Sequence, residues 1–125
     1  MSFNRIRLSK SASVRLSMLK GKTGITPNIL CRIGFCLSLN DPTVPKPQNY
    51  DENGLELNRF TLTGEYDKLF IALLKERLIK DGLDLKKDLF SQLRAHVNRG
   101  SVLLYDRVKK LEDFQDLLPK RESLA

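Results

Sequence analysis

The chain has 125 residues, of which 41% are apolar and 30% charged, with a formal net charge of +7. These fractions are typical of one globular domain with a modest core, here residues 1–125, and exclude an intrinsically disordered chain. No apolar run approaches the roughly 20 residues of a membrane span, and the polar N-terminus lacks the apolar stretch of a secretory signal, so we expect a cytoplasmic protein with no membrane partner.

The positive charge is concentrated in the first third of the chain. Residues 5–39 contain seven Lys and Arg and no acid, whereas the remaining basic residues equal the 15 acids in number. Such a block indicates a surface for a polyanion, first of all nucleic acid; the alternative is a solvated basic face without a partner. Because few aromatics are interleaved, contact with the duplex backbone is favoured over stacking on single strands.

Residues 3–8 alternate between polar and apolar side chains, which predicts a short strand. Ile6 and Leu8 fall on its apolar face, and Arg5 and Arg7 lie side by side on the other. The strand therefore brings two guanidinium groups together.

A first helix follows, for which Ser9 or Ser11 can supply the N-cap and which we expect to end near Leu19. Gly21 and Gly24 then supply the positive φ values that a tight helix–helix turn requires. The fragment Gly21-Lys22-Thr23 is not a phosphate-binding loop. That motif needs a glycine where Leu16 stands, and it needs a strand before the loop, where a helix is predicted.

The second helix is predicted to begin with Thr26 as N-cap and Pro27 in the first turn, and to end near Leu39. It is apolar nearly all round, so it must be enclosed on every side. A partner subunit is the economical cover, and the alternative is a monomeric core helix covered by the C-terminal half. We assign four side chains of this helix to an oligomer interface: Ile29, Ile33, Phe35 and Leu37.

Strand, helix, glycine turn and helix is the order of a ribbon-helix-helix module, in which strands of two subunits pair. We therefore predict a mainly α fold whose residues 1–39 form a ribbon-helix-helix-like unit. Such ribbons also serve purely as dimer seams.

The rest of the chain is predicted to be a loop followed by a helical cover. Residues 40–60 hold three prolines and form a loop that wraps a neighbouring subunit or is a floppy connector, with a brief strand possible at Leu55 and Leu57. Residues 61–118 form three helices, and residues 119–125 form a frayed tail. The proposed helix starts are near Gly64, Asp84 and Ser101, the stops are Gly82, Gly100 and Pro119, and the inward residues include Tyr66, Leu69, Phe70, Leu73, Leu85, Leu89, Leu93, Val97, Leu104, Val108, Leu111 and Leu118.

No constellation of residues indicates catalysis. His96 is the only histidine and is expected to be structural or solvent-facing. Cys31 and Cys36 are expected to be free, and together with His96 they are too few for a metal site. We therefore expect no enzyme activity, no cofactor and no metal.

Four runs resemble the family of the DNA phosphorothioation (DNA sulfur modification) protein DndE: RIRLSKSAS, GKTGITPNILCRIGFCLSL, NRFTLTGEYDKLFIALLKERL and LRAHVNRG. The resemblance covers roughly residues 4–108. It implies a homo-oligomeric, tetrameric subunit that binds double-stranded DNA, nicked duplex in particular, beside a cysteine desulfurase, a sulfurtransferase and an ATPase-like component. It also implies a structural role for Gly21 and Gly24 at an assembly contact. The implied nucleic-acid-binding residues are Lys10, Lys20 and Lys22, with Arg5, Arg7 and Arg15 nearby.

Two other functions stay open at this point. A ribbon-helix-helix regulator would read an operator through Arg5 and Arg7. A scaffold for the sulfur-transfer partners would use the basic face to meet an acidic protein.

Overall fold

The structure is a computed structural model that describes residues 4–117. The mainly α prediction is confirmed, and the predicted tail at 119–125 lies outside the described residues, as does Leu118. The strands and helices are β1 (Arg5–Arg7), α1 (Lys10–Thr23), α2 (Pro27–Asn40), β2 (Glu56–Asn58), α3 (Arg59–Thr63), α4 (Asp67–Asp81) and α5 (Leu89–Arg107), with short 3-10 turns at Pro47–Asn49, Gly64–Tyr66 and Leu111–Leu117.

Helix α1 starts where its cap predicts and ends later than expected. The Ser9 hydroxyl oxygen accepts a hydrogen bond from Ala12 N at 3.1 Å. The helix continues to Thr23, so Gly21 lies inside it, and only Gly24 has the left-handed φ of 76° that ends it. The prediction that both glycines adopt positive φ is therefore wrong for Gly21, because one C-terminal glycine suffices to stop a helix.

The ribbon forms within one chain, which corrects the expectation that strands of two subunits pair. β1 pairs antiparallel with β2, placing Ile6 opposite Leu57 and Arg7 opposite Glu56. On the outer edge of β1, the carbonyl of Arg7 accepts a hydrogen bond from Arg94 Nε at 2.9 Å. The brief strand anticipated around Leu57 therefore meets β1 within the same chain, and the outward carbonyl of Arg7 is already bonded to Arg94.

Helices α2 and α5 form the centre of the fold and touch through two glycines. A Cβ added to Gly34 would lie 2.7 Å from the backbone carbon of Gly100, and one added to Gly100 would lie 2.8 Å from Phe35 N. α5 therefore runs unbroken for 19 residues through the predicted stop at Gly100 and the predicted start at Ser101. That prediction was wrong because Gly100 serves close backbone approach rather than helix termination.

The core lies between α1, α2, α4 and α5. The inward positions predicted for the second half of the chain are confirmed for helix α5 and for Val108, the residue directly after it. The buried members of that stripe are Leu89, Leu93, Val97, Leu104 and Val108, and they meet Leu16, Leu19, Leu30 and Phe35 from α1 and α2.

The region before α4 differs from the prediction. α3 begins at Arg59, capped by Asn58, and Thr63 ends it rather than starting the next helix. Tyr66 and Leu69 were predicted to point inward, yet they are 51% and 55% exposed. The deviation follows from the 3-10 turn after α3, which resets the phase of the apolar stripe. Leu85 and Leu111 are likewise exposed rather than inward.

α5 also starts later than predicted. Asp84 does not cap it, because the Asp84 carboxylate accepts hydrogen bonds from the backbone of Lys86 and Lys87 in a separate turn. The helix begins at Leu89.

Arginines of α4 and α5 tie the loop of residues 40–60 to its own chain. Arg77 Nη2 donates to the Thr43 carbonyl at 2.6 Å, and Arg99 Nη1 donates to the same oxygen at 2.8 Å. Arg94 donates to the carbonyls of Tyr50 and Asp51. The segment is therefore anchored to its own chain at these carbonyls and is not a floppy connector. No helix in the described part is long and apolar enough to cross a membrane.

Candidate nucleic-acid interface

The two arginines of β1 share a carboxylate partner. Arg5 and Arg7 are exposed, and each approaches the Glu56 carboxylate to 3.5 Å. The register of the ribbon causes this, because Glu56 stands directly opposite Arg7. Exposed pairs of this kind add little stability, but the carboxylate offsets part of the positive charge that the sequence placed here.

Acids from the following loop also lie beside the start of α1. The Asp51 carboxylate accepts hydrogen bonds from the backbone N–H groups of Lys10 at 3.0 Å and Asn53 at 2.9 Å. These backbone bonds lower the pKa of Asp51. Lys10 itself is exposed, and it contacts Asp51 through its backbone, so its ammonium group pairs with no carboxylate of the described residues. In the N-terminal half of the basic segment, the charge that is partly offset is therefore that of Arg5 and Arg7.

The C-terminal half of α1 keeps its charge. Within residues 4–117, no carboxylate pairs with Arg15, Lys20 or Lys22. At 3.6 residues per turn, Arg15 and Lys22 share one flank of the helix and Lys20 lies about 160° from Lys22 on the other. The predicted cations therefore spread over the exposed half of α1 instead of forming one stripe.

Two residues that the sequence did not single out join this region. The ring of Tyr105 near the end of α5 has Arg15 Cζ and Lys22 Nζ each 5.5 Å from its centroid. Lys109 Nζ lies 4.8 Å from the same centroid. Distances of this size are those of cation–π contacts. No local pattern could have revealed the grouping, because it depends on how α5 packs against α1.

Arg32, the remaining cation of the acid-free segment, holds the fold together. Its Nε donates to the Leu62 carbonyl at 2.6 Å and its Nη2 to the Thr61 carbonyl at 3.2 Å. The Arg32 guanidinium group is therefore bound to backbone carbonyls at the end of α3.

The residues predicted for an oligomer interface are divided by the fold. Ile29 is 42% exposed, and Ile33 and Leu37 are half-buried. Phe35 is 1% exposed and packs edge-on against Phe70 with ring centroids 5.5 Å apart. Phe35 therefore belongs to the protomer core and is not accessible to a second copy.

Gly21 and Gly24 are both exposed, and a Cβ at either position would meet nothing within 4 Å. In the protomer these glycines therefore hold no two helices together. Their surface is open to close approach by another molecule.

A serine and the only histidine meet in the core. Arg99 Nε donates to Ser38 Oγ at 2.8 Å, and Ser38 Oγ also shares a hydrogen bond with His96 Nδ1, 2.7 Å away. Burial, followed by the charges of Arg99 and Arg77, lowers the pKa of His96 to about 3, and the imidazole stays neutral. Both residues are fully buried, so the pair holds α2 to α5 without access to a substrate.

The cysteines do not pair and have no metal-ligand neighbours in the described part. Burial raises the pKa of Cys31 to about 12, which keeps it a thiol, and Cys36 is exposed and free. Among residues 4–117 no group of three or more His, Cys, Asp and Glu is placed to hold a metal ion.

Fold and surface together define a small helical protein that presents cations on one helix and whose Ser–His pair is sealed in the core. The sequence profile described as DNA sulphur modification protein DndE matches residues 5–112. The chain belongs to the DndE family, so the resemblance seen in the sequence is confirmed.

Solved structures agree with this assignment. The chain is similar to DndE from Escherichia coli B7A, described as involved in DNA phosphorothioation modification, with a TM-score of 0.68, 34% identity and coverage of 83% of this chain and 98% of that one. It is also similar to a DndE mutant with two glycines replaced by lysine, with a TM-score of 0.65, 31% identity and coverage of 83% and 99%. No curated protein sequence matches significantly.

Proposed function

We propose that this protein takes part in DNA phosphorothioation as the subunit that holds duplex DNA, and that it does so in the cytoplasm through the basic surface of α1. One observation carries the proposal. Lys10, Arg15, Lys20 and Lys22 are cations without a carboxylate partner in the part of the chain that the structure describes, whereas Glu56 offsets Arg5 and Arg7.

The dimensions of α1 suit the backbone of a duplex. Lys10 and Lys22 are 12 residues apart, which is about 18 Å along a helix at 1.5 Å per residue. One DNA strand presents about five phosphates over that length at 3.4 Å each. Contacts of this type fix the position of the protein and carry no base sequence, so binding of random duplex with strong salt dependence is expected.

The outer face of α2 supports self-association. Ile29, Ile33 and Leu37 recur at spacings of four, and the exposed Cys36 lies between them on the same face. This face borders a groove of about 350 Å³ lined by Ile33, Cys36, Leu37, Phe70 and Leu117, among others. Burying such side chains contributes about 1.5–3 kcal/mol each, which favours a homo-oligomer, a tetramer by analogy with the family.

The proposed role leaves the sulfur chemistry to other proteins. The exposed Cys36 lies on an apolar face and has its pKa raised by partial burial, which disfavours the reactive thiolate. A cysteine desulfurase, a sulfurtransferase and an ATPase-like component would supply sulfur and energy while this subunit holds the DNA.

Binding to a fluorescein-labelled duplex, followed by anisotropy between 50 and 200 mM salt, tests the proposal. Reversing the charge of Lys10, Lys20 and Lys22 to glutamate should reduce the slope of log K against log salt by roughly 2.7, or about 0.9 for each phosphate that the protein no longer neutralises. The matched control reverses Lys68, Lys75 and Lys80, three exposed lysines of α4.

The control variant carries the same total charge and should keep the wild-type slope. Light scattering should show unchanged assembly for both variants. Wild-type affinity in the α1 variant, or an equal loss in both variants, would contradict the assignment. Intact and nicked duplexes of one sequence, compared in parallel, determine whether nicks are preferred.

The regulator alternative is less consistent with the ribbon. Glu56 engages Arg5 and Arg7, the two residues that would read base edges. A footprint confined to one sequence would favour that alternative over backbone binding. The scaffold alternative predicts no mobility shift of naked DNA at moderate salt.

A further inference from the structure

The ring of Tyr105 collects three cations from two distant parts of the chain. Arg15 and Lys22 come from α1, and Lys109 follows α5. We infer that these four residues, called the Tyr105 cluster, form a binding site for one phosphodiester group of DNA. The inference rests on the proposed function. It adds Tyr105 and Lys109, from the C-terminal part of the chain, to a basic surface that the sequence analysis placed only in the N-terminal segment.

The cluster holds like charges close together. Since each cation lies within 5.5 Å of the same ring centroid, no two of them are farther apart than twice that distance. This separation is comparable with the Debye length of about 8 Å at physiological ionic strength, so salt screens their repulsion only in part. An anion placed among them interacts favourably with all three, and a phosphodiester is the anion that DNA supplies.

Arg15 is oriented before any ligand arrives. Its Nη1 donates to the hydroxyl and carbonyl oxygens of Ser11, one turn earlier, at 2.5 Å and 3.3 Å. Its Nη2 has no acceptor among the described residues. A guanidinium held on one side with a donor available on the other is well suited to a phosphate oxygen.

The nearby acid does not neutralise the cluster directly. The Asp113 carboxylate accepts hydrogen bonds from the backbone N–H groups of Lys109 at 2.7 Å and Lys110 at 3.1 Å. Meanwhile Lys109 Nζ donates to the carbonyl of Tyr105 at 3.3 Å. That bond places the ammonium group over the ring instead of over the carboxylate.

A purely structural role would also bring cations here. Lys22 lies in the last turn of α1 and Lys109 lies just beyond α5. Positive charge at a helix C-terminus offsets the helix dipole and stabilises the protein. The two roles differ in their consequences, because dipole compensation changes thermal stability and leaves the affinity for DNA unchanged.

Four single variants in the complete chain test the inference: Lys109→Gln, Tyr105→Leu, Tyr105→Phe and, as control, Lys75→Gln on α4. Anisotropy of a fluorescein-labelled duplex gives the affinity and salt slope, and a thermal melt of each variant gives its stability. We expect Lys109→Gln to weaken binding about three- to tenfold near 100 mM salt and to lower the slope by about 0.9.

Tyr105 is a positioning residue in this scheme, so its ring should matter more than its hydroxyl. Tyr105→Leu should weaken binding severalfold, and Tyr105→Phe, which keeps the ring face, should bind within about twofold of wild type. Lys75→Gln should leave the affinity and slope as they are. A phenylalanine variant as weak as the leucine variant would overturn the positioning role of the ring.

The remaining outcomes separate this inference from the proposed function. If wild type binds duplex with a steep slope, but Lys109→Gln and Tyr105→Leu bind equally well and only melt earlier, the cluster serves stability and the inference is wrong. If wild type binds no duplex at 50 mM salt, the proposed function fails and the phosphodiester site fails with it.

Discussion

The contact between Gly34 and Gly100 gives the sharpest prediction about stability. Replacing Gly100 by alanine adds one methyl group inside α5, where it would lie 2.8 Å from Phe35 N and even closer to the carbonyl of Gly34. Both neighbours are backbone atoms of α2, so no side chain can move aside. Because the Gly34 carbonyl is the nearest of these atoms, the two central helices must separate by more than about 1 Å to restore an ordinary contact of about 3.5 Å.

The expected cost follows from three contributions. Overpacking costs about 1–3 kcal/mol or more, and a gap of about 1 Å between helices removes roughly half of the dispersion energy across it. Alanine recovers up to about 1 kcal/mol as a better helix former than glycine. We therefore expect a net loss of at least about 2 kcal/mol, or a melting temperature lower by at least roughly 6 °C in a chain of this size.

Gly21→Ala is the matched control, because it places the same substitution inside a helix where nothing lies within 4 Å of the new Cβ. It should be neutral or stabilising by up to about 1 kcal/mol. Urea unfolding followed by circular dichroism at 222 nm measures both variants. Equal or greater stability of Gly100→Ala than wild type would refute direct backbone contact between the two helices.

Three further predictions concern single residues. His96 has a pKa of about 3 in the folded protein and near 6.5 in the unfolded chain. Its contribution to the free energy of unfolding is therefore complete above pH 6.5 and falls by about 1.4 kcal/mol per pH unit as the pH drops from 6.5 to 4.5. Unfolding titrations of His96→Gln should show a flatter pH profile. Arg77→Ala leaves the buried carboxylate of Asp81 without the guanidinium group that lies 2.8 Å away, and urea unfolding should show a loss of about 3–5 kcal/mol. The control Lys75→Ala, on the exposed side of the same helix, should change the free energy of unfolding by less than about 0.5 kcal/mol. Ile33→Glu should reduce the mass seen by light scattering without lowering helix content, and an unchanged mass would exclude the outer face of α2 as the assembly contact.

Capping and periodicity made the first two helices largely predictable. Ser9 caps α1 as expected, and α2 begins at Pro27 and ends one residue past the predicted Leu39. These signals involve residues within one turn of each other, so they operate before any tertiary contact forms. The strand of residues 5–7 was visible for the same reason, through its period of two.

Glycine shows where such local reasoning ends. Gly82 and Gly24 end helices with left-handed φ values of 72° and 76°, whereas Gly100 sits mid-helix against Gly34. All of them follow stretches with helical periodicity in the sequence. Only the position of α2 decides whether a glycine stops a helix or admits a neighbouring backbone.

Charge shows the same division between composition and arrangement. The amino-acid sequence alone determined that the excess of +7 comes from the acid-free segment. The tertiary structure decided that Glu56 offsets Arg5 and Arg7, and that Lys109 joins Arg15 beside Tyr105. Net charge is a sum over residues and needs no coordinates, whereas an electrostatic site depends on distances between groups that only chain folding brings together.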